Sequence, residues 1–481
     1  MNLSVVARNI GIALLSNAVF MFLGVIVSIV YGFDSSFSPL LLSGVITLIA
    51  GLFPLVFVRK SNSINAKEGF TIVVFAWVLS CLFGMLPYVL WGGEFTLINA
   101  WYESVSGYTT CGGTILSDVE SLPKGLLFWR SSTHFLGGLG IVVFMLLVLP
   151  SVSSFSKRLK DVETSSLSQE NYRFRTKQTI YVMFSVYFGI TIAETLCLML
   201  AGMDFFNAIN HAFSTVATGG FSTLNDSVKG FDSVLIEYII IFFMLLSGLH
   251  FGLIYSSVTT RSLKIFRSPV VRYYIACVLV FSVAIAVNLL AAKVETNWGE
   301  AISHSLFQAV SVSTSTGFAT SEISTWPNFA MLLMLFLMIQ GACSGSTTGG
   351  VKADRFLIFF KSIKAQLKKY VHPNAVMPVK VGKHTVDYDL VSSVNLFILF
   401  YFLLLFAGTL ILTLLGVGME DAVSSVISNM GNVGVAFGDV GSFGNYGYFP
   451  AAAKFVLALL MLIGRFEIFS FIVIFVIYKW R

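Results

Sequence analysis

Four Gly-bearing loops recur along the chain, each between two long apolar stretches and each preceded by a short segment of polar and aromatic residues. The loops read Thr109-Thr110-Cys111-Gly112, Ala217-Thr218-Gly219-Gly220, Thr314-Ser315-Thr316-Gly317 and Ser428-Asn429-Met430-Gly431. Glycine at the end of a short helix permits a positive φ and turns neighbouring carbonyl groups toward one side. Rings of such carbonyl groups can replace the hydration shell of a potassium ion. Four loops of this kind predict a pseudo-fourfold ion pathway.

The candidate potassium ligands are three residues in each loop, ending at the glycine on which the four loops are set in register. They are Thr110, Cys111, Gly112, Ala217, Thr218, Gly219, Ser315, Thr316, Gly317, Asn429, Met430 and Gly431. In the fourth loop, Gly434 is a rival for the register position. A single Thr-Gly or Gly-Gly pair is most often an ordinary turn between helices. Four such loops at equivalent positions favour a shared function.

The segments before the loops are predicted to be half-length helices that enter the membrane and stop near its middle. They cover residues 98–108, 205–216, 300–312 and 420–428 and are too short and too polar to span. Backbone that is not helical at that depth is tolerated only inside protein or against water. The negative C-terminal end of each half-helix would then face the loop and favour a cation there.

The composition is that of an integral membrane protein. Of the 481 residues 56% are hydrophobic and 11% are charged, and the mean hydropathy is +0.85. A soluble chain could not bury so much apolar surface. The five cysteines and six histidines form no disulfide, zinc or other ligand pattern. With no phosphate loop, nucleophile elbow or paired-carboxylate motif, the sequence predicts neither an enzyme nor a bound cofactor.

The predicted fold is an all-α membrane protein with about ten transmembrane helices. A span of the hydrocarbon core needs roughly 20 residues, and the segments that meet this test are approximately 10–31, 38–58, 70–91, 126–150, 178–201, 235–258, 272–293, 329–360, 391–416 and 450–479. Two extra N-terminal spans (1–66) would precede four span–pore-loop–span repeats in a pseudo-fourfold arrangement. The predicted repeats cover 67–160, 161–262, 263–372 and 373–481.

The distribution of Lys and Arg predicts a cytoplasmic N-terminus. Most basic residues fall in the connections that this orientation places inside, including 157–177 and 361–383. All four loops then open to the outside, where many acidic residues gather. These acids could form a cation-attracting vestibule or simply follow from the sorting of basic residues to the inside. The inner basic loops could dock a partner or face anionic lipid.

The predicted eighth span, 329–360, contains a break that could gate the pathway. Its Gly341-Ala342-Cys343-Ser344-Gly345-Ser346-Thr347-Thr348-Gly349-Gly350 segment opposes a continuous helix, since each Gly costs about 1 kcal/mol against Ala. The candidate gating residues are Gly341, Gly345, Ser346, Thr347, Thr348, Gly349 and Gly350. The alternative is a small-residue surface for helix packing.

Arg465 is the second gating candidate, because it lies near the middle of the predicted last span. A charge at that depth costs at least about 2.5 to 3.5 kcal/mol. We hypothesise that Arg465 faces the pore as a cationic barrier or a latch. The alternative is a structural ion pair, for instance with Glu194 or Glu237. Glu467 lies about 200° round the helix and is not an obvious direct partner.

At these residues the chain resembles the Trk/Ktr/HKT superfamily of potassium transporters, most closely the bacterial TrkH branch. Ala217-Thr218-Gly219-Gly220-Phe221-Ser222-Thr223 is similar to the second filter of that family, Ser313-Thr314-Ser315-Thr316-Gly317-Phe318 to the third, and Gly464-Arg465-Phe466-Glu467 to its last-span signature. The resemblance implies filter glycines at Gly112, Gly219, Gly317 and Gly431. Two departures are Cys111 in place of the usual Thr, and Gly431-Asn432-Val433-Gly434 in place of Gly-Pro-Gly.

The resemblance also implies a function and an assembly. It predicts potassium uptake across the bacterial inner membrane, with an intramembrane loop as the gate. The expected assembly is a homodimer, each protomer with its own pore, on a cytosolic nucleotide-binding ring related to TrkA, surrounded by lipid and without nucleic acid. A rival is a secondary transporter for Na⁺ or another small solute, bound at midplane by Gly-broken helices.

Overall fold

The computed structural model describes residues 3–58, 66–148, 176–262, 264–375, 377–382 and 384–466. Within this part of the chain, six helices are long and apolar enough to cross a membrane, or seven if one bent helix pair counts as a span. They are Leu3–Val30, Phe37–Phe57, Thr71–Trp91, Tyr181–Leu200, Pro269–Ala291 and Tyr388–Leu414, and the bent pair is Val234–Ser247 with Phe251–Thr259. The helical membrane-protein class is therefore confirmed, whereas the count of ten spans stays a prediction.

The two N-terminal helices, α1 (Leu3–Val30) and α2 (Phe37–Phe57), pack closely against each other. Glycine permits the close approach of their backbones. A Cβ at Gly11 would lie 2.6 Å from the carbonyl oxygen of Gly51, and a Cβ at Gly51 would lie 3.0 Å from that of Gly11. Small residues at such crossings are typical of membrane helices, where close van der Waals packing drives association.

Four helix groups follow, each containing a half-length helix of 12 to 16 residues. The first group comprises α3 (Ala66–Gly84), α4 (Leu86–Trp91), α5 (Leu97–Tyr108) and α6 (Lys124–Val148). The second comprises α7 (Thr176–Leu200), α8 (Phe205–Val216), α9 (Val234–Ser247) and α10 (Phe251–Thr259). The third comprises α11 (Pro269–Ala291), α12 (Trp298–Ser313), α13 (Asn328–Gln340) and α14 (Ala353–Val371). The fourth comprises α15 (Tyr388–Leu414), α16 (Met419–Gly431) and α17 (Ala451–Arg465).

The half-length helices are α5, α8, α12 and α16, and the sequence explains where three of them begin. The side chains of Thr96, Asp204 and Asn297 accept backbone N–H groups of Asn99, Asn207 and Gly299 at 3.4, 3.1 and 3.0 Å. Such N-caps satisfy donors that the first helical turn leaves unpaired. The fourth half-length helix begins after Gly418 without a side-chain cap.

The helices pack in a cyclic order. In every group the first long helix contacts the half-length helix of its own group. The helix that follows each Gly-bearing loop contacts the half-length helix of the next group, so that α6 packs on α8, α9 on α12 and α13 on α16. The order closes because α17 packs on α5. All four half-length helices are thereby brought around one centre.

Two helices are interrupted after their Gly-bearing loops. In the third group, residues 341–352 separate α13 from α14, as the sequence predicted for 341–350. In the second group, α9 and α10 meet at a bend of 102°, which the predicted continuous span 235–258 missed. A short hairpin of β1 (Lys380–Val381) and β2 (His384–Thr385) follows α14. The predicted loop 157–177 and the end of the last span, 467–479, lie largely or wholly outside the described residues.

Candidate functional site

Each half-length helix ends in the same backbone turn. The N–H groups of Cys111, Gly219, Thr316 and Val433 donate to carbonyl oxygens five residues earlier, Ser106, Ser214, Ser311 and Ser428, at 2.9, 2.7, 2.8 and 2.9 Å. The residue before each donor has a left-handed conformation: Thr110 (φ 52°), Thr218 (φ 56°), Ser315 (φ 56°) and Asn432 (φ 53°). This combination is a Schellman motif, which satisfies carbonyl groups at a helix end.

The left-handed residues carry backbone strain. A left-handed conformation costs an L-residue roughly 1 to 2 kcal/mol, and Thr110 and Thr218 are also β-branched, which makes a positive φ a genuine outlier. Strain of this kind persists only where the surroundings enforce it, and it clusters at functional sites. Its occurrence at equivalent positions in the first three loops, together with Asn432, which tolerates this conformation, in the fourth, indicates a functional requirement on the backbone.

Four glycines with positive φ form a closed ring two residues after the left-handed positions. They are Gly112 (φ 83°), Gly220 (φ 85°), Gly317 (φ 78°) and Gly434 (φ 86°). A Cβ on each would overlap the carbonyl oxygen of the residue that precedes the next ring glycine: Gly219, Thr316, Val433 and Cys111, respectively. The four loops therefore meet through their backbones, with carbonyl groups directed along the ring and no room for a side chain.

The ring identifies the equivalent glycine in each of the four predicted loops. Gly112 and Gly317 occupy the positions that the sequence register assigned to them. In the second loop, however, Gly220 and not Gly219 is the equivalent glycine, and in the fourth it is Gly434 and not Gly431. Helix α16 runs to Gly431, so the predicted candidates Asn429, Met430 and Gly431 lie in its last turn. In the second loop, Thr218 is the left-handed residue and Ala217 the helix cap.

A cavity of about 90 Å³ lies against this ring and is lined by Gly112, Gly220, Gly317 and Gly434 together with residues of the connecting loops. Hydrogen bonds between neighbouring helix groups hold these connecting loops together. The Asn225 side chain donates to Asp118 Oδ1 at 2.8 Å, and this hydrogen bond lowers the pKa of Asp118. Glu322 accepts the backbone N–H of Ser442 at 2.9 Å. The carboxylates here thus order the loops in addition to supplying negative charge.

The interrupted segment 341–352 lies against the C-terminal ends of two half-length helices. Thr347 Oγ1 donates to the carbonyl oxygen of Val216, at the end of α8, at 3.1 Å. Its hydroxyl also lies 3.3 Å from that of Thr218, the left-handed residue of the second loop. A Cβ on Gly349 would overlap the carbonyl oxygen of Gly431, at the end of α16. The segment therefore bridges the second and fourth loops across the centre.

Further contacts hold this segment in place. Lys352 Nζ donates to Thr348 Oγ1 at 3.1 Å, and Asp354 Oδ1 accepts the N–H of Ser344 at 2.9 Å. The bend between α9 and α10 is attached as well, because Cys343 N–H donates to Gly248 O at 3.1 Å and Phe251 N–H donates to Gly345 O at 3.1 Å. The sequence analysis missed this bend, although Gly248 inside an apolar stretch was a signal for it.

Arg465 is buried, with 3% of its surface exposed, and its Nη1 donates to the carbonyl oxygen of Thr347 at 2.7 Å. Its Nε and Nη2 atoms have no hydrogen-bond partner in the described residues. Neither Glu194 nor Glu237 forms an ion pair with it in that part of the chain, so the predicted alternative of such a pair is wrong for both. Glu467 lies outside the described residues. The guanidinium is instead directed at the interrupted segment.

The Thr347 hydroxyl can be tested without a change of volume. If the interrupted segment closes an ion pathway, as the sequence predicts, Thr347→Val should raise cation flux through the closed protein by roughly 2- to 10-fold, since a typical hydrogen bond contributes about 0.5 to 1.5 kcal/mol. The measurement is ⁸⁶Rb⁺ efflux from proteoliposomes. Thr413→Val, at an exposed helix position where the hydroxyl bonds only within α15, is the matched control. Equal flux in both variants would contradict a restraining role for Thr347.

The fold and site define a class of protein: a helical membrane protein in which four half-length helices converge on a ring of backbone carbonyls, with an interrupted helix packed against the ends of two of them. Sequence comparison gives the family. The TrkH family model, described as a cation transport protein, matches residues 39–479. The chain belongs to the TrkH family, and the resemblance seen in its loops is confirmed.

Individual relatives are similar to this protein over almost the whole length of the chain. The Trk system potassium uptake protein TrkH of Salmonella typhimurium is 36% identical over 426 residues, which is 88% of each chain. The protein of the same name from Halomonas elongata is 32% identical over 486 residues and covers 100% of both chains. The crystal structure of the potassium transporter TrkH from Vibrio parahaemolyticus matches with a TM-score of 0.90 at 31% identity, again over 100% of both chains.

Proposed function

We propose that this protein takes up potassium ions across the bacterial inner membrane through the ring of four loops. The observation that carries the proposal is the closure of that ring, in which Gly112, Gly220, Gly317 and Gly434 each face a carbonyl group of the next loop. Four half-length helices direct their C-terminal ends toward it, and each such end carries about half a negative elementary charge. The centre is therefore favourable for a cation that has lost its water shell.

The filter residues of this proposal follow the ring. They are Thr110, Cys111 and Gly112 in the first loop, Thr218, Gly219 and Gly220 in the second, Ser315, Thr316 and Gly317 in the third, and Asn432, Val433 and Gly434 in the fourth. Their backbone carbonyl oxygens replace the hydration shell of potassium. Cys111 contributes its carbonyl oxygen rather than its thiol, so its departure from the Thr of the family is compatible with this role. The inside-negative membrane potential drives entry, by about 2.3 kcal/mol per charge per 100 mV.

The gate of the proposed pathway is the segment 341–350 together with Arg465. Thr347 joins the two, since its hydroxyl donates to Val216 O and its carbonyl oxygen accepts from Arg465. A segment that bridges the second and fourth loops obstructs an ion leaving the ring. Conduction then requires the segment to move away and these hydrogen bonds to break.

The proposed assembly is a homodimer, with one pore per protomer, on a cytosolic nucleotide-binding ring related to TrkA. We place the N-terminus on the cytoplasmic side, as the distribution of Lys and Arg predicts, so that the end of α14 reaches the inner surface of the membrane. That helix carries Lys361, Lys364, Lys368 and Lys369, which are suited to anionic lipid or to an acidic face of the ring. The relatives are named as components of a Trk system, which is consistent with a partner protein.

Potassium uptake can be tested in a bacterium that lacks its own high-affinity uptake systems. We expect the chain, expressed with its partner ring, to restore growth at low external potassium and to mediate ⁸⁶Rb⁺ uptake. The ring alone is the control. Correct membrane expression without rescue would overturn the proposal, and uptake of Na⁺ without Rb⁺ would favour the secondary transporter.

A further inference from the structure

A buried ion pair lies behind the first and second loops. Arg130 of α6 and Glu103 of α5 are 2% and 0% exposed, and Arg130 Nε lies 2.8 Å from Glu103 Oε1. Burying two charges is expensive, and an apolar replacement of such a pair is often neutral or even stabilising. Fold stability alone therefore explains poorly why charged residues occupy these positions.

The pair is attached to the loops on both sides of it. Glu103 accepts hydrogen bonds from the Thr114 hydroxyl at 3.1 Å and from the Ile115 N–H at 3.0 Å, just after ring glycine Gly112. Arg130 Nη1 donates to the carbonyl oxygen of Ser222, two residues after ring glycine Gly220, at 3.3 Å. Arg130 also lines the cavity that touches all four ring glycines. The Arg130 guanidinium thus lies at the cavity beside the ring, paired with the Glu103 carboxylate.

The corresponding positions of the second and third groups hold their loops with side chains that carry no fixed charge. Glu103 lies three residues before Ser106, and the residues three before Ser214, Ser311 and Ser428 are His211, Gln308 and Ser425. His211 Nε2 lies 3.1 Å from Ser222 Oγ, and Gln308 Nε2 donates to Ser321 O at 3.0 Å. An amide such as that of Gln308 is thus sufficient to tether a loop, and the charges at Glu103 and Arg130 serve another purpose.

We propose that Glu103 and Arg130 set the electrostatic potential at the cavity side of the ring and so determine the affinity for the entering cation. Arg130 positions the first two loops, and Glu103 cancels the repulsion that its charge would exert on potassium. Neither side chain binds the ion. They act through the field and through the loops, and this inference rests on the proposed cation uptake.

Opposite charge changes must then shift cation affinity in opposite directions. We expect Glu103→Gln to raise the half-saturating potassium concentration about tenfold, as a unit charge roughly 10 Å away does at an effective dielectric constant near 20. Arg130→Gln is expected to lower that concentration, and the double variant to return it toward the wild-type value. The measurement is ⁸⁶Rb⁺ uptake at a series of potassium concentrations in cells that express the chain with its ring.

Conservative variants and a matched control separate this role from a structural one. Glu103→Asp keeps the charge and should leave the half-saturating concentration within about twofold of wild type, even if the variant yields less protein. Glu295→Gln removes a carboxylate that lies at the same distance, 2.8 Å, from its partner His304, but away from the ring, and should change nothing. Yields are compared by size-exclusion chromatography.

Several outcomes would overturn the inference. They are equal effects of Glu103→Asp and Glu103→Gln on affinity, shifts of the same sign in Glu103→Gln and Arg130→Gln, or a loss of maximal rate alone. If Arg130→Gln does not fold, the comparison of the two Glu103 variants decides by itself. A wild-type protein that fails to take up Rb⁺ would instead count against the proposed function.

Discussion

Gly434→Ala is expected to reduce potassium uptake by at least about 100-fold, because an alanine there cannot coexist with the closed ring. A Cβ on Gly434 would overlap the Cys111 carbonyl oxygen and lie 2.6 Å from the Gly113 nitrogen. Its φ of 86° also disfavours any L side chain. Backbone atoms cannot move aside as a flexible side chain can, so the first and fourth loops must separate. Such a displacement would remove a carbonyl group from the proposed ion site at a cost of several kcal/mol, where every 1.4 kcal/mol is a factor of ten.

Gly431→Ala is the matched control in the same loop. Gly431 has a helical backbone at the end of α16, and its added Cβ would lie 3.0 Å from Met338 O, which calls for a shift of only a few tenths of an ångström. We expect this variant to keep uptake within about threefold of wild type. ⁸⁶Rb⁺ uptake normalised to membrane expression measures both. The reverse ranking, with Gly431→Ala inactive and Gly434→Ala active, would show that the sequence register was right and the ring wrongly assigned.

The half-length helices could be predicted from the sequence because they are polar segments in a strongly apolar chain. The predicted 205–216 coincides with α8, and the predicted 98–108 differs from α5 by one residue. The interrupted segment was predictable for a related reason. Its four glycines among small polar residues each disfavour a helix by about 1 kcal/mol relative to Ala, so the sequence favours an interruption there.

The register predicted from the sequence differs from the ring by one residue in the second loop and by three in the fourth. The reason is that it assumes a glycine directly after each helix. In the structure the helices end at Tyr108, Val216, Ser313 and Gly431, and a left-handed residue follows each of them: Thr110, Thr218, Ser315 and Asn432. Tertiary contacts impose this conformation on Thr and Ser, which do not prefer it, whereas Asn tolerates it. A usable signal was present nonetheless. Each ring glycine lies six residues after a serine, namely Ser106, Ser214, Ser311 and Ser428, and only the register on Gly220 and Gly434 aligns these serines.

The bend at Gly248 and the partner of Arg465 depend on contacts between distant parts of the chain. Gly248 O accepts from Cys343 N–H, a bond that no local pattern could predict. For Arg465 the sequence offered carboxylates as partners, since opposite charges are the usual solution for a charge in a membrane. The structure supplies a backbone carbonyl, that of Thr347. If the interrupted segment is the gate, as proposed, this partner would be displaced when the gate opens, whereas a carboxylate on a packed helix would stay in place.

The hydrogen bond from Arg465 to the Thr347 carbonyl leads to the second prediction with a large expected effect. We expect Arg465→Gln to raise the flux of the resting protein by about 10- to 150-fold, because a hydrogen bond from a charged group contributes about 1.5 to 3 kcal/mol. Removal of the charge would also remove a repulsion of cations in the proposed pathway. Flux is measured as ⁸⁶Rb⁺ efflux from proteoliposomes without the partner ring, where the closed state should predominate. Lys454→Gln, on the same helix, alters a lysine bonded to Asn99 and Gly447 and should leave resting flux unchanged.

A double-mutant cycle distinguishes a latch from a structural arginine. If Arg465 and the Thr347 hydroxyl restrain the same segment, combining Arg465→Gln with Thr347→Val should raise the flux by less than the product of the single effects, because residues in one network are not additive. Independent sites would multiply. A structural arginine predicts a different pattern: unchanged flux per folded protein in Arg465→Gln, together with a lower yield, since a misfolded protein does not conduct. The contact between Nη1 and Thr347 O favours the latch, because it joins the buried charge of Arg465 to the segment that is proposed to be the gate.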